Sequence, residues 1–165
     1  MSLRIRQEIQ AVSRQAELSP ASKNHFDVAA GVLRDEHGRV LVAERTGGGP
    51  FNGLWEFPGG KIGPGETALQ ALKRELAEEI GVTEAFADTF IKLRHEYPDR
   101  IVTIEFFLVE RWHPEPKGLE GQQLQWSAIA DLDALPLLPA DQPVIEALRK
   151  LSSYNSASNQ ENTAK

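Results

Sequence analysis

The sequence predicts one α/β or α+β domain in which strands are mixed with two long helices. The chain has 165 residues, a length typical of a single domain, and 41% of them are hydrophobic, which is enough for one ordinary core. Short segments with strand character alternate with two segments of helical apolar spacing, and the sequence shows no internal repeat. Together these observations favour a layered sandwich of sheet and helices.

The strands can be assigned in chain order. The first two lie at residues 27–33 and 40–44, and the segment Asp35-Glu36-His37-Gly38 supplies the turn between them. Residues 46–50 form a glycine-rich loop. Further strands are predicted over residues 54–57, 86–96, 101–111 and 124–126. The second and third of these form a hairpin around Pro98 and Asp99.

Two segments are predicted to be helices. Residues 67–79 carry apolar side chains at helical spacing, and Gly81 ends the pattern. Residues 144–151 form the second helix, which the chain enters through Pro143.

The two ends of the chain differ from the domain at 27–151. In residues 1–26, apolar side chains recur at helical spacing with arginines between them, which predicts an amphipathic N-terminal extension that caps the domain or a dimer. A basic organelle-targeting segment is the alternative interpretation. Residues 152–165 have no apolar periodicity and are expected to be a disordered tail.

Composition excludes several classes of function. The net charge of −6 argues against binding to polymeric nucleic acid, which favours a basic surface. The absence of cysteine excludes disulfides, thiolate metal sites and a cysteine nucleophile. No apolar run approaches the length of a membrane span. We expect a cytoplasmic protein without a membrane partner, either a monomer or a homodimer.

The most informative segment is 60–82, where three glutamates stand within five positions of the first helix. Glu75 and Glu79 are one turn apart on one face, and Glu78 is adjacent. Like charges at this spacing destabilise a bare helix, whereas hard divalent cations bind carboxylates and offset the repulsion. A solvated acidic face is the alternative for any charge run, but it does not account for the glycines and the arginine nearby.

These residues resemble the signature of the Nudix hydrolases. The family's motif is matched at Gly60, Glu66, Arg74, Glu75, Leu76, Glu78, Glu79, Gly81 and Val82. The stretches at 29–33, 54–60, 97–100, 110–112, 120–122 and 139–145 are similar to the MutT branch, whose best-known activity is 8-oxo-dGTP diphosphatase. The resemblance covers residues 27–151 and implies the Nudix α/β/α sandwich with a mixed β-sheet.

The resemblance also implies a Mg²⁺ site, at which Mn²⁺ can substitute. Its ligands would be Gly60 and Glu79 at the centre, with Glu75, Glu78 and the more distant Glu120 around them. Arg74 would orient a catalytic glutamate, since its guanidinium can hold a carboxylate with two hydrogen bonds. Glu75 and Glu120 are both candidates for the general base. We expect Glu66 to be structural, at the junction of loop and helix.

Three residues are candidates for contact with a nucleotide substrate. Lys61 can help to neutralise phosphate charge, and Arg45 matches a MutT position near the nucleotide, although an ordinary arginine at a strand end is the alternative. Asp141 stands where MutT-like sequences carry an asparagine, which both donates and accepts hydrogen bonds. An ionised aspartate only accepts, so it would repel O6 of 8-oxoguanine unless burial protonates it. Capping of the last helix is the other interpretation of Asp141.

The sequence therefore predicts a Mg²⁺-dependent nucleoside triphosphate pyrophosphohydrolase that releases a nucleoside monophosphate and pyrophosphate. Its expected substrates are oxidised or modified nucleotides such as 8-oxo-dGTP. Hydrolysis of CTP, other cytidine nucleotides or nucleotide sugars is the first alternative. A non-catalytic nucleotide-sensing module is the alternative from another class, although a sensor has no need to keep the whole glutamate set.

Overall fold

The computed structural model describes residues 23–161, with side chains up to residue 153, and this part of the chain contains seven strands and two α-helices. The strands are β1 (Asn24–Leu33), β2 (Val40–Glu44), β3 (Trp55–Glu56), β4 (Gly59–Lys61), β5 (Glu84–Glu96), β6 (Arg100–His113) and β7 (Leu124–Ser127). The helices are α1 (Ala68–Ile80) and α2 (Gln142–Glu161), and short 3₁₀ turns span Ile129–Ala134 and Pro139–Asp141. The amphipathic helix predicted in residues 1–26 falls almost entirely outside the described residues.

Helix α1 begins and ends where local sequence signals place it. Thr67 is the N-cap, and its side chain and that of Gln70 satisfy each other's backbone N–H groups in a capping box. Gly81 ends the helix in the left-handed conformation with φ 72°, and its N–H donates to the carbonyls of Ala77 and Leu76. The orientation of the glutamates on this helix is therefore determined at both ends.

The strands form two sheets. The larger has the order β4-β1-β6-β5, and the smaller has the order β3-β2-β7. β1 and β6 are parallel, whereas every other strand pairing in the two sheets is antiparallel. The mixed sheet predicted from the family resemblance is therefore confirmed.

The sheets lie between the two helices, with a hydrophobic core on each side. On one side, Leu72, Leu76 and Ile80 of α1 are completely buried against Ala29 and Leu33 of β1. On the other side, residues of α2 pack against the opposite face of the same strands; this cluster includes Ala30, Val32, Phe106, Val144, Ile145 and Leu148. Alternate residues of β1 thus serve different cores, as the two-residue period of a strand requires.

The structure differs from the sequence predictions in three places. β1 begins at Asn24, inside the segment 1–26 that the sequence sets apart. β4 was not predicted, because Gly59-Gly60-Lys61 has no apolar alternation, and its pairing with β1 creates the strand. Helix α2 continues to Glu161, ten residues beyond the predicted end at residue 151. Once a helix is nucleated it extends at little cost, and no glycine or proline follows residue 151 to stop it.

None of the helices in residues 23–161 is both long enough and apolar enough to span a membrane.

Candidate active site

The glycine loop, here Gly59 and Gly60 at the start of β4, contacts α1 where Gly60 lies against Glu75. Gly60 lies opposite Ala29 in the antiparallel pairing of β4 with β1. A Cβ atom built on Gly60 would lie 2.6 Å from both carboxylate oxygens of Glu75, so no larger residue fits without displacing that side chain. Glycine at this position lets a carboxylate and a backbone carbonyl share one small space.

Arg74 is the hydrogen-bonding centre of this region. Its Nε and Nη2 donate to the two carboxylate oxygens of Glu66 at 2.7 and 2.9 Å, and Nη1 donates to Glu75 Oε1 at 2.6 Å. Nη2 also donates to the carbonyl of Lys61 at 3.0 Å, which ties β4 to the helix. The guanidinium fork therefore fixes the position of the Glu75 carboxylate relative to the loop.

Glu66 supports Arg74 from the junction of loop and helix. Its carboxylate also accepts a hydrogen bond from the N–H of Gly63 at 2.7 Å. The hydrogen bonds from Arg74, followed by the one from Gly63, lower the pKa of Glu66 to about 2. The geometry fits the structural role that the sequence analysis prefers for this residue.

Glu79 is the most strongly perturbed carboxyl group of α1. Burial raises its pKa to about 8, and the negative charges of Glu75, Glu56 and Glu120 act in the same direction. Oε2 accepts a hydrogen bond from the Gly59 N–H at 3.4 Å, which opposes the shift only weakly. A cation in this position would relieve the repulsion, so the electrostatics fit a metal ligand.

An acidic pocket of about 170 Å³ lies beside Glu79. Its charged and polar lining includes Glu44, Arg45, Glu56, Glu79, Glu120 and Gln122. The predicted ligands Gly60, Glu75 and Glu78 do not line it: Gly60 lies on β4 against Glu75, Glu75 is held by Arg74, and the side chain of Glu78 is 58% exposed. No three carboxylates or imidazoles in residues 23–161 form a ready-made metal cage. The donor set nevertheless fits Mg²⁺, which keeps several waters and needs only one or two carboxylates beside substrate oxygens.

Glu120 reaches this pocket from a loop that is attached to the end of α1. The N–H groups of Lys117 and Leu119 donate to the carbonyls of Ile80 and Glu79, both at 2.9 Å. The last carbonyls of a helix have no partner within the helix, so the loop satisfies them. Glu120, more than forty residues from Glu75 in sequence, is thereby brought to the same end of the site.

A second pocket, which is largely apolar and has a volume of about 190 Å³, adjoins the first. The aromatic and aliphatic part of its lining includes Phe26, Val28, Phe51, Phe57, Tyr97 and Leu138. Arg45, Glu56 and Gly59 line both pockets, so they form the wall between them. Arg45 Nη1 donates to Glu56 Oε2 at 2.8 Å, so this ion pair lies at the boundary between the two pockets.

Asp141 lies in the apolar pocket and is only 4% exposed. Its Oδ2 accepts a hydrogen bond at 3.1 Å from the N–H of Phe57, 84 residues away in sequence. A helix-capping side chain would accept a hydrogen bond from an N–H group in the first turn of α2, whereas Asp141 accepts one from Phe57. The hydrogen bonding therefore does not support the capping interpretation. Burial raises the pKa of Asp141 to about 8, opposed by the hydrogen bond from Phe57. At neutral pH the side chain is therefore mainly a carboxylic acid, which can donate as well as accept.

Lys61 lies on the rim of the apolar pocket and not in the acidic one. Its Nζ stands 4.1 Å from the centre of the Phe26 ring, a cation–π contact. The contact with phosphate charge that the sequence suggests for Lys61 stays a prediction, because Lys61 lines the apolar pocket and not the acidic one.

The sequence analysis missed several residues that line the apolar pocket. Glu56, Tyr97 and Arg100 all line it, and Phe51 packs against Tyr97 with ring centres 5.0 Å apart. The first three fall within the stretches similar to the MutT branch, which was an available signal for them. Phe51 stands in a glycine-rich loop, where nothing in the local pattern distinguishes a pocket residue from a surface one.

Comparison with known proteins agrees with this geometry. The 8-oxo-dGTP diphosphatase of Escherichia coli (strain K12) is 44% identical over 126 residues, which cover 76% of this chain and 98% of that protein. The CTP pyrophosphohydrolase of the same strain is 36% identical over 130 residues, covering 79% of this chain and 95% of that protein. The solution structure of the E. coli ORF135 protein superposes with a TM-score of 0.71 at 34% identity, covering 81% and 94% of the two chains.

A family model described as NUDIX domain matches residues 29–147 of this chain. The matched region contains α1, Gly59 and Gly60, the Glu120 loop and Asp141, that is, the whole acidic pocket and the apolar pocket apart from Phe26 and Val28. Because this match covers most of the chain and the relatives are similar over most of their own length, this chain belongs to the NUDIX domain family.

Proposed function

We propose that this protein is a Mg²⁺-dependent pyrophosphohydrolase that converts modified purine nucleoside triphosphates, 8-oxo-dGTP foremost, into the nucleoside monophosphate and pyrophosphate. The observation that carries the proposal is the pair of adjoining pockets, one acidic and one apolar, with a shared wall at Arg45 and Glu56. A nucleotide has the same division into a charged and an aromatic end. The relative named 8-oxo-dGTP diphosphatase supports the choice of substrate.

The acidic pocket would hold the metal. NUDIX domain enzymes generally need a divalent metal, and we assign Mg²⁺, with Mn²⁺ as a substitute, because the donors here are hard oxygens. Gly60 and Glu79 are the proposed central ligands, with Glu75, Glu78 and Glu120 around them. Glu79 and Glu120 line the acidic pocket, whereas Gly60, Glu75 and Glu78 would reach the metal from β4 and α1 beside it. When bound, the metal neutralises phosphate charge and lowers the pKa of water.

The protein side chains then supply orientation and a base. Arg74 holds Glu75 at a fixed distance from the loop. The base that accepts the proton of the attacking water is Glu75 or Glu120, and the lining of the acidic pocket favours Glu120. The water attacks a phosphorus of the triphosphate, and the products are the nucleoside monophosphate and pyrophosphate.

The apolar pocket would select the base. A protonated Asp141 offers one donor and one acceptor, the pattern of the asparagine in MutT-like sequences. It can donate to O6 of 8-oxoguanine and accept from N7–H, so the aspartate does not oppose this substrate while it keeps its proton. Phe51, Tyr97 and Phe57 supply the apolar surroundings of the ring. We propose that the protein acts in the cytoplasm as a monomer or homodimer. Its proposed partner is the nucleotide substrate, and neither polymeric nucleic acid nor a membrane is a partner.

Hydrolysis of CTP is the second candidate. An ionised Asp141 would accept a hydrogen bond from the exocyclic amine of cytosine, and a relative named CTP pyrophosphohydrolase is 36% identical. The two candidates are separated by assaying 8-oxo-dGTP, dGTP, CTP, dATP and nucleotide sugars with Mg²⁺ and identifying the products by chromatography. The proposal requires a higher kcat/KM for 8-oxo-dGTP than for CTP at pH 7, with pyrophosphate as the product.

A further inference from the structure

The side chain of Gln122 connects the two residues whose carboxylates meet in the acidic pocket. Its Nε2 donates to the backbone carbonyl of Glu79 at 2.8 Å, and its Oε1 accepts from the backbone N–H of Glu120 at 2.8 Å. Both partners are backbone groups with a fixed donor or acceptor character. The orientation of the amide is therefore determined by the network, and no other orientation satisfies both.

The turn that carries Glu120 is closed tightly around this amide. A Cβ atom on Gly118 would collide with the backbone carbonyl of Gln122 and would lie 3.0 Å from its Oε1. Gly121 adopts φ 77°, in the left-handed region that favours glycine. Glycine at both positions makes the turn permissive, so an additional contact is needed to hold Glu120 in one place.

The backbone of the loop does not by itself provide that contact. Leu119 N–H and the Gln122 side chain both donate to the carbonyl of Glu79, but within residues 23–161 the N–H of Glu120 donates only to Oε1 of Gln122. Gln122 is half-buried and lines the acidic pocket beside Glu79 and Glu120. Without the Gln122 amide, the backbone N–H of Leu119 would still attach the loop to α1. The position of Glu120 relative to Glu79 would no longer be fixed by a hydrogen bond to its own N–H.

We propose that Gln122 is a positioning residue that sets the distance of Glu120 from Glu79 in the acidic pocket. The inference rests on the proposed function, because it gives Glu120 a task in the reaction. Gln122 itself touches neither the reacting atoms nor the metal in this account. A small displacement of a group that acts on water is costly, since about 1 Å of misplacement lowers a rate by up to roughly 100-fold.

The test uses Gln122→Met, which keeps the length of the side chain and removes both hydrogen bonds. Gln123→Met is the matched control, because the Gln123 side chain is exposed and does not contribute to the hydrogen bonds that connect Glu79 with Glu120. With 8-oxo-dGTP and saturating Mg²⁺, Gln122→Met should lower kcat about 10- to 100-fold with KM changed less than about twofold. Gln123→Met should match the wild-type protein.

A double-mutant cycle with Glu120→Gln identifies the residue through which Gln122 acts. If Gln122 works by positioning Glu120, adding Gln122→Met to Glu120→Gln should produce no further loss beyond about twofold. An equal loss in both backgrounds would overturn the inference, because it would show that Gln122 merely supports the end of α1.

Hydrogen exchange of the Glu120 amide in the full-length protein tests the inference without activity. Exchange should accelerate at least about 10-fold in Gln122→Met and remain at the wild-type rate in Gln123→Met, since one protecting hydrogen bond is lost. Unchanged exchange would contradict the inference. If the wild-type protein hydrolyses no nucleotide in the panel, the proposed function fails, and the exchange result alone decides whether Gln122 holds Glu120.

Discussion

The two pockets of this site are built from different kinds of sequence. The acidic pocket is lined mainly by charged and polar side chains, with glutamates supplied by β2, β3, α1 and the loop attached to the end of α1. The apolar pocket collects Phe26, Phe51, Tyr97 and Asp141 from four separate segments. A charged lining suits chemistry on phosphates that many substrates share, whereas an apolar wall with one buried carboxyl group suits choice among bases.

The largest expected effect belongs to the acidic pocket. Glu79→Gln keeps the shape of the side chain and removes a charge at the proposed metal, so kcat should fall by at least about 100-fold. The loss should be equal for 8-oxo-dGTP and CTP, since the apolar pocket is unchanged. Steady-state kinetics at saturating Mg²⁺ measure it, with the exposed Glu84→Gln as the control. A folded Glu79→Gln enzyme with near-wild-type turnover would remove Glu79 from the metal site.

The next effect belongs to the apolar pocket and depends on pH. Since the pKa of Asp141 is raised to about 8, the side chain loses its proton as pH rises through that value and becomes acceptor-only. The ratio of kcat/KM for 8-oxo-dGTP to kcat/KM for CTP should fall across this range by about 5- to 150-fold. This is the change expected when one buried hydrogen bond is mismatched. Glu56 and Arg45 are the other charged groups near Asp141 in this pocket. Titration of Glu79 should change kcat/KM for both substrates equally, so the ratio of the two values reports on the apolar pocket alone.

Asp141→Asn is the control for that titration, because asparagine offers a donor and an acceptor at every pH. Its substrate ratio should stay constant where the wild-type ratio falls. Stability provides a second readout: the folded protein keeps a proton on Asp141 that the unfolded chain releases above about pH 4, so wild-type stability decreases as pH rises towards 8. In the metal-free protein, Asp141→Asn should make the melting temperature less dependent on pH in this range. A wild-type ratio that is flat in pH would show that Asp141 does not read the base.

A smaller effect is expected for Arg74→Lys. Lysine keeps the charge but cannot make the two parallel hydrogen bonds to Glu66 and the third to Glu75. Turnover should fall about 10-fold, by displacement of Glu75, with both substrates affected equally. The reciprocal exchange at the exposed neighbour, Lys73→Arg, should leave kinetics unchanged. If Arg74→Lys were as active as the wild type, Arg74 would have no role in orienting Glu75.

The smallest effect is expected at the end of α2. Helix α2 extends to Glu161, and Val144, Ile145 and Leu148 are its residues in the buried core cluster. Removing residues 154–165 should leave kcat/KM for both substrates within error and change the melting temperature by less than about 2 °C. Thermal denaturation and the nucleotide assay measure this, and a large drop in melting temperature would reveal packing of this segment.

The contrast between the pockets also explains how much could be predicted from the sequence. Helix α1, its Thr67 start and its Gly81 end follow from local signals, and β2 has the predicted bounds. The environment of Asp141 does not follow from any local signal, because it depends on a hydrogen bond from Phe57 and on burial by distant segments. For the same reason the sequence suggests an acceptor-only aspartate, whereas the structure indicates a carboxyl group that keeps its proton at neutral pH.

Strand β4 and the extension of α2 teach a similar lesson. Gly59, Gly60 and Lys61 become a strand only because β1 pairs with them, and this pairing brings Gly60 to Glu75. Residues 152–161 have little helical pattern of their own and continue a helix that is nucleated earlier. In both places tertiary context decides a structure for which the local sequence is neutral.

The most direct test of the division of labour is one set of kcat/KM values for 8-oxo-dGTP and CTP at pH 6.5 and pH 9, measured for the wild type, Glu79→Gln and Asp141→Asn. The account predicts that Glu79→Gln lowers both values together and keeps the wild-type ratio at each pH. It predicts that Asp141→Asn retains turnover but abolishes the change of the ratio with pH. A Glu79→Gln enzyme with an altered ratio, or an Asp141→Asn enzyme whose ratio still follows pH as in the wild type, would contradict the assignment of chemistry to one pocket and base selection to the other.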